Sequence, residues 1–298
     1  MEIKRPMKPP SEPISDEELE YINYPVVGSP KLDGFRCLVD KVPKTSSMSI
    51  WPNLFARGIL SNSVFHGLDG ELIVGPPNSP DAFHNTNGPL RAVEGSPDFM
   101  YYVFDDWIYG DLTYDLRWLK KPKKIHERLI IVEQRILNTY EEVIKFDEEM
   151  LNLGYEGSII RSLKGRYKEG RCSFKEMNVF KRKPFVECEA IILDVLEGLQ
   201  NLNESKMTKI GTRERSSHKE NKIFKGTFGA FKLKSHLWEK EFTASLGKGY
   251  TNPMKQEIWN NRYKYIGEEA TIKYQKYGSR NAPRFPSVIK IRPKWDLT

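Results

Sequence analysis

Cysteine is scarce: Cys37, Cys172 and Cys188 are the only three in 298 residues, and no two lie near each other. A disulfide-framed fold and a four-thiolate zinc site are thereby excluded, and free thiols are expected. Histidine is almost as rare at five residues, and His126 and His218 show no metal-ligand spacing. No apolar run approaches the roughly 20 residues that cross a bilayer as a helix, so no membrane association is expected. The charges of Glu2, Lys4 and Arg5 have no apolar stretch behind them, which argues against a secretory signal. The expected address is intracellular and soluble. Internal repeats are absent as well, which excludes a solenoid.

What is present is length and unevenly placed charge. The chain is about twice the size of an ordinary domain, so two domains are expected. Net charge is +7. Residues 188–298 carry 21 Lys and Arg against 12 Asp and Glu, while residues 1–187 carry 26 against 28. All the excess positive charge therefore sits in the last third, which points to a polyanionic partner, because each cation that meets a phosphate releases condensed counterions.

The first 25 residues are Pro-rich and polar and read as a tail with one short helix starting near Ser15. From Val26 short β-like runs dominate. Phe35, Cys37 and Val39 alternate with Arg36, Leu38 and Asp40, and Leu72-Ile73-Val74 and Tyr101-Tyr102-Val103-Phe104 suit buried strands. Ile125, Leu129, Val132 and Ile136 form a helical stripe over residues 123–138, continued from Tyr140 to Leu153. The first domain is thus mixed, and the fold class is α+β. After Pro184 four or five short strands fit a small barrel. Between its first two strands, residues 198–226 are polar, and residues 204–225 hold seven Lys and Arg against three Glu. Such an excursion is a disordered loop or an arm that meets nucleic acid.

Lys31-Leu32-Asp33-Gly34-Phe35-Arg36 follows a Gly28-Ser29-Pro30 turn. Alone, Asp33-Gly34 is a hairpin signal. With Asp69-Gly70-Glu71-Leu72, Val103-Phe104-Asp105, Glu156-Gly157-Ser158-Ile159-Ile160-Arg161, Phe180-Lys181-Arg182-Lys183-Pro184 and a terminal Arg284-Phe285-Pro286 in that order, the K-x-D-G-x-R pattern resembles the covalent nucleotidyltransferases. The resemblance is greatest to ATP-dependent DNA ligases of the small viral and phage type, and it runs from about Val26 to Asp296.

The resemblance implies an adenylation domain over residues 1–187 and an OB-fold domain over 188–298, whose insert at about 198–226 clamps DNA. Lys31 would be the nucleophile that forms a lysine-AMP bond, with Asp33, Arg36, Lys181 and Lys183 as catalytic partners. Ser29, Pro30, Arg57, Glu71, Phe104, Arg284 and Asp296 would bind the nucleotide, Phe104 by stacking and Glu71 through the ribose. Glu156 would position a divalent metal, magnesium or manganese. Lys206, Lys209, Arg213, Arg215 and Lys219 would meet DNA. A lysine attacks phosphorus only as a neutral amine, so burial beside other cations is expected to lower the Lys31 pKa. The implied enzyme uses ATP to seal nicks in duplex DNA, as a monomer, virus- or phage-encoded and acting where DNA is replicated or repaired. A capping guanylyltransferase, an RNA ligase and a non-catalytic OB protein are the alternatives. The 120–124 Lys run resembles a nuclear-localisation cluster, though such runs are more often solvated surface.

Overall fold

The structure is a computed structural model that describes residues 3–119, 126–207, 213–216 and 218–292. Lys209, Asp296 and the 120–124 run lie outside the described residues. The chain divides into two compact units between Lys183 and Pro184. That is slightly before the expected Glu187, because the strand opening the second unit already begins at Val186.

In the first unit the strands run β1 (Met7–Lys8), β2 (Val26–Pro30), β3 (Phe35–Asp40), β4 (Val42–Thr45), β5 (Leu68–Val74) and β6 (Phe99–Asp106). Five follow: β7 (Leu129–Ile131), β8 (Arg135–Leu137), β9 (Ser158–Ser162), β10 (Gly170–Arg171) and β11 (Val179–Arg182). The helices are α1 (Asp16–Leu19), α2 (Leu54–Leu60), α3 (Ala82–Arg91), α4 (Tyr114–Leu119) and α5 (Tyr140–Asn152). One sheet has the order β4-β3-β5-β6-β7 and the other β11-β9-β2-β8, while β1 pairs with β10. Because β2 and β3 belong to different sheets, residues 31–34 cross between sheets and Asp33-Gly34 is no hairpin turn. Asp69-Gly70 lies inside β5 and is no turn either.

Strict alternation in β6 buries Phe99, Tyr101 and Val103 and leaves Met100, Tyr102 and Phe104 half-buried on the opposite face. That second face is the one that carries the site. Two expectations fail in this unit. The stripe over residues 123–138 is not a helix, since its described part forms β7 and β8. Ile130 and Ile131 are β-branched, the run is only three residues long, and β7 is taken up as a parallel edge on β6. The N-terminal tail is also not loose: Ile3, Met7 and Ile14 are buried, and Met7 and Lys8 pair with Gly170 and Arg171. The short helix α1 does form, closed by a capping box from Ser15 to Glu18.

The second unit contains β12 (Val186–Asn201), β13 (Ser205–Met207), β14 (Arg213–Arg215), β15 (Lys222–Lys234), β16 (Phe242–Leu246), α6 (Asn252–Asn260), β17 (Glu269–Gln275) and β18 (Arg284–Arg292). Five strands close a barrel in the order β12-β15-β16-β18-β17. Its core is Ile192, Phe231, Leu233, Ala270, Ile272 and Val288, each at most 0% exposed. The basic excursion is not a disordered loop at its base: β12 and β15 continue their antiparallel pairing out to Asn201 and Lys222, and β13 pairs with β14 beyond them. The result is an exposed two-stranded ribbon, a shape that presents its side chains to solvent on both faces.

Candidate functional site

The site is assembled in the first unit by short-range backbone constraints. Lys31 N–H donates to the Gly157 carbonyl at 2.8 Å, which ties the segment after β2 to the start of β9. Gly157 has φ of 146°, and a Cβ there would stand 2.2 Å from the Arg182 carbonyl oxygen. Only glycine allows that approach, and it brings Glu156 level with the residues after β11. The Glu156 carboxylate, 3% exposed, then bridges two lysines: one oxygen pairs with Lys31 Nζ and the other accepts from Lys183 Nζ at 3.2 Å. Glu71, on β5, accepts from the Gly34 amide at 2.9 Å.

Arg36 is fixed by a bidentate pair with Asp69, Nε to Oδ1 at 2.5 Å and an Nη to Oδ2 at 2.6 Å. Tyr167 Oη donates to the same Asp69 Oδ2 at 2.7 Å. Asp69 is fully buried, so this pair is held in low dielectric and defines where the guanidinium stands. The guanidinium carbon lies 4.6 Å from the centre of the Phe104 ring, and that of Arg161 lies 5.2 Å from it. A cavity of about 300 Å³ opens here, lined among others by Ser29, Pro30, Leu32, Glu71, Phe104 and Ile159. Lys31, Arg36 and Lys181 also face it.

Lys31 departs from expectation. Burial pushes its pKa down, but Glu156, Glu71 and Asp33 push it up and prevail, so it lies above the ordinary lysine value. The expected cations are present, yet the carboxylates stand nearer. Glu71 is raised by burial, against the opposing pull of Lys31 and Arg36. Lys181 is lowered by burial and by Lys183, Lys31 and Arg171.

The structure thus brings Ser29, Pro30, Lys31, Arg36, Glu71, Phe104 and Lys181 to one cavity, with Glu156 and Lys183 joined to Lys31. Asp33, 7% exposed, stands close enough to act on the Lys31 charge. Lys183 does not alternate within a strand with Lys181, because β11 ends at Arg182. Arg57 does not line the cavity: it lies on α2, where its carbonyl accepts from Ser61 at the helix end. A helix of apolar face and fixed cap occupies residues whose Arg-Gly pair alone suggested a ligand contact. Arg284 belongs to β18 of the second unit, its guanidinium carbon 5.0 Å from the ring of Phe285. Lys206, Arg213, Arg215 and Lys219 are exposed on the ribbon, and Arg215 donates to the Asn203 carbonyl. Sequence reasoning missed Met7, Lys8 and Arg171, which also line the cavity, and Tyr167, which holds Asp69.

Among the described residues no group of three or more His, Cys, Asp or Glu side chains could enclose a metal. The donors present are carboxylate oxygens, which suits a hard cation that keeps waters and substrate oxygens in its shell.

No family profile matches the chain. Over 118 residues it is 25% identical to the DNA ligase of African swine fever virus isolate Tick/South Africa/Pretoriuskop Pr4/1996 and 27% identical to that of isolate Pig/Kenya/KEN-50/1950. These matches cover 37% of this chain and only 28% of the length of those relatives. Among solved structures, Chlorella virus DNA ligase-adenylate is similar over 98% of this chain and 100% of its own, with 22% identity and a TM-score of 0.55. A Lig E DNA ligase is similar over the same shares, with 19% identity and a TM-score of 0.70. The chain therefore shares the fold of these DNA ligases.

Proposed function

We propose that the protein is an ATP-dependent DNA ligase that seals nicks in duplex DNA through a lysine-AMP intermediate. The observation that carries this reading is Lys31, placed by a crossover between two sheets, paired with Glu156 and facing one cavity with Arg36, Glu71 and Phe104. A degenerate binding protein has no need to keep a buried amine against a carboxylate, since burying charge costs several kcal/mol per ion.

In the first step Lys31 Nζ, once neutral, attacks the α-phosphorus of ATP and the bond to pyrophosphate breaks. Glu156 is the group already hydrogen-bonded to Nζ and is placed to accept its proton. Phe104 offers the base a π-face, and Glu71 offers the ribose an acceptor. Lys183 and Lys181 supply positive charge for the phosphoryl oxygens, whose negative charge spreads in the transition state. Arg284 and Asp296 are assigned to the pyrophosphate end. AMP then passes to the 5′-phosphate of the nick, and attack by the 3′-hydroxyl expels it. Magnesium or manganese would be held by Glu156, and when bound would supply charge neutralisation at the α-phosphate.

The barrel is read as an OB fold and its ribbon as the arm that grips duplex, in keeping with the exposed Lys206, Arg213, Arg215 and Lys219. A duplex with one 5′-phosphorylated nick should be sealed with ATP but not with GTP or NAD. Covalent labelling of the protein by GTP and not by ATP, without sealing, would favour a capping-type enzyme, and no sealing with any of them would refute the reading. In the same assay, deletion of residues 201–222 should weaken nick binding by about tenfold or more while sparing adduct formation. Unchanged nick affinity would refute the role of the ribbon.

A further inference from the structure

The buried face of α5 carries one residue out of character. Val143, Phe146, Asp147 and Met150 are its buried side chains, a stripe at helical spacing in which Asp147, 8% exposed, is the one charge. Val143, Phe146 and Met150 share a core with Ile160 of β9 and Phe180 of β11. These strands are antiparallel neighbours, with Ser158 opposite Arg182 and Ile160 opposite Phe180. Side chains two apart along a strand share a face, so Ser158 and Arg182 stand on the α5 side of the sheet. The alternate residues Ile159 and Lys181 line the cavity that Lys31 faces.

Asp147 joins the two strands from behind. Its Oδ1 accepts from the Ser158 hydroxyl at 2.6 Å, and its Oδ2 pairs with Arg182 Nε at 3.2 Å. Arg182 is held on its outer side as well, donating through Nη1 to Asp16 Oδ1 at 2.8 Å. Ser158 is fully buried, and Arg182 is nearly so. Stability alone gives no reason for this network, because apolar residues of similar volume in place of a buried ion pair are often neutral or stabilising. Its position in the fold supplies one. Ser158 follows Glu156 by two residues, and Arg182 lies between Lys181 and Lys183. The two backbones approach so closely here that a Cβ on Gly157 would collide with the Arg182 carbonyl, and the Gly157 carbonyl receives the Lys31 amide. A slip of β9 against β11 at this point would therefore carry Glu156 away from its contact with Lys183.

We propose that Asp147 is a positioning residue, which clamps Ser158 to Arg182 and so fixes the Glu156 carboxylate between Lys31 and Lys183. The proposal rests on the ligase reading for the reaction it serves. Asp147 touches no nucleotide and acts through the two strands. Misplacing reacting groups by about 1 Å costs on the order of 100-fold in rate. The clamp should therefore show in the rate at saturating ATP and not in the affinity for ATP.

The test is single-turnover adduct formation against ATP concentration, with thermal unfolding of each protein measured beside it. Wild type is compared with Asp147→Asn and with a triple variant, Asp147→Leu, Ser158→Ala and Arg182→Met. Asp147→Asn keeps the shape and an acceptor for Ser158 but removes the charge that faces Arg182. Its limiting rate should fall by about 10- to 100-fold, while the half-saturating ATP concentration stays within about twofold of wild type. The triple variant replaces the whole network by apolar groups, so it should unfold near the wild-type temperature and still show the same deficit. A limiting rate of Asp147→Asn within about twofold of wild type would overturn the proposal. So would a deficit confined to the half-saturating concentration, or one accounted for by the unfolded fraction alone. A folded triple variant that forms adduct at the wild-type rate would show the network to be merely structural. Should the triple variant not fold, Asp147→Asn assayed below its own unfolding transition decides the matter. Wild-type protein that forms no adduct overturns the ligase reading and the role of Asp147 with it, whereas a normal wild type beside a normal Asp147→Asn overturns that role alone.

Discussion

Lys31→Ala should reduce sealing of an ordinary nick by roughly 10⁴-fold or more, the scale seen when a covalent nucleophile is removed. A duplex whose 5′ end already carries AMP should still be joined at a measurable rate, because that last step forms no bond to Lys31. The contrast separates a lost nucleophile from a lost fold. The pH dependence follows from the neighbours of Lys31. Its carboxylates hold it above the ordinary lysine range, so the neutral amine is a minor species near neutrality. Adduct formation at fixed ATP should therefore rise as pH is raised. Glu156→Gln removes the largest of the raising influences and should shift that rise to lower pH, although the variant will also be slower. A pH profile unmoved by Glu156→Gln would show that Glu156 does not govern the protonation of Lys31.

The second large effect belongs to a residue that touches no substrate. Asp69→Ala should destabilise the first unit by about 3–5 kcal/mol, measured by urea unfolding, because it strands the Arg36 guanidinium in a site built for a pair. It also removes the acceptor of Tyr167 Oη, which in turn holds the Met7 amide. Adduct formation should fall with it, since Arg36 loses both of its bonds to Asp69. A double variant, Arg36→Met with Asp69→Leu, should recover part of the stability without recovering the adduct. If the double variant forms adduct as wild type does, the pair is merely structural.

Legibility of the chain varied with what kind of constraint each residue obeys. Lys31, Glu71, Phe104, Glu156 and Lys181 could be singled out because their motifs and order resemble those of the covalent nucleotidyltransferases, and the structure brings Lys31, Glu71, Phe104 and Lys181 to one cavity with Glu156 paired to Lys31. The small barrel was legible from runs such as Ala190–Val195 and Val288–Ile291, although the short β16 was missed, its alternation covering only five residues. The stripe at Leu129, Val132 and Ile136 misled because three-residue strands have too few positions to display a period of two. Lys8 was invisible for a different reason. Its strand is placed by backbone and carbonyl contacts with Tyr167, Arg36, Arg171 and Lys181, which lie far away in sequence and impose no pattern on a Pro-rich segment. Arg57 shows the converse, a residue at the expected place in sequence that lies on α2 and is not among those lining the cavity.

The state of Lys31 was misjudged on the same grounds. Cations nearby were inferred correctly, but which charge stands nearest is set by the turn at Gly157, where backbone approach rather than side-chain type delivers Glu156.

The claim that Lys31 is the point of covalent attachment is tested most directly by mass analysis of the purified protein after incubation with ATP and magnesium. The account predicts an increment of one AMP, lost on treatment with pyrophosphate and mapped to the peptide containing Lys31. An unchanged mass under these conditions, or AMP mapped to any other residue, would contradict it.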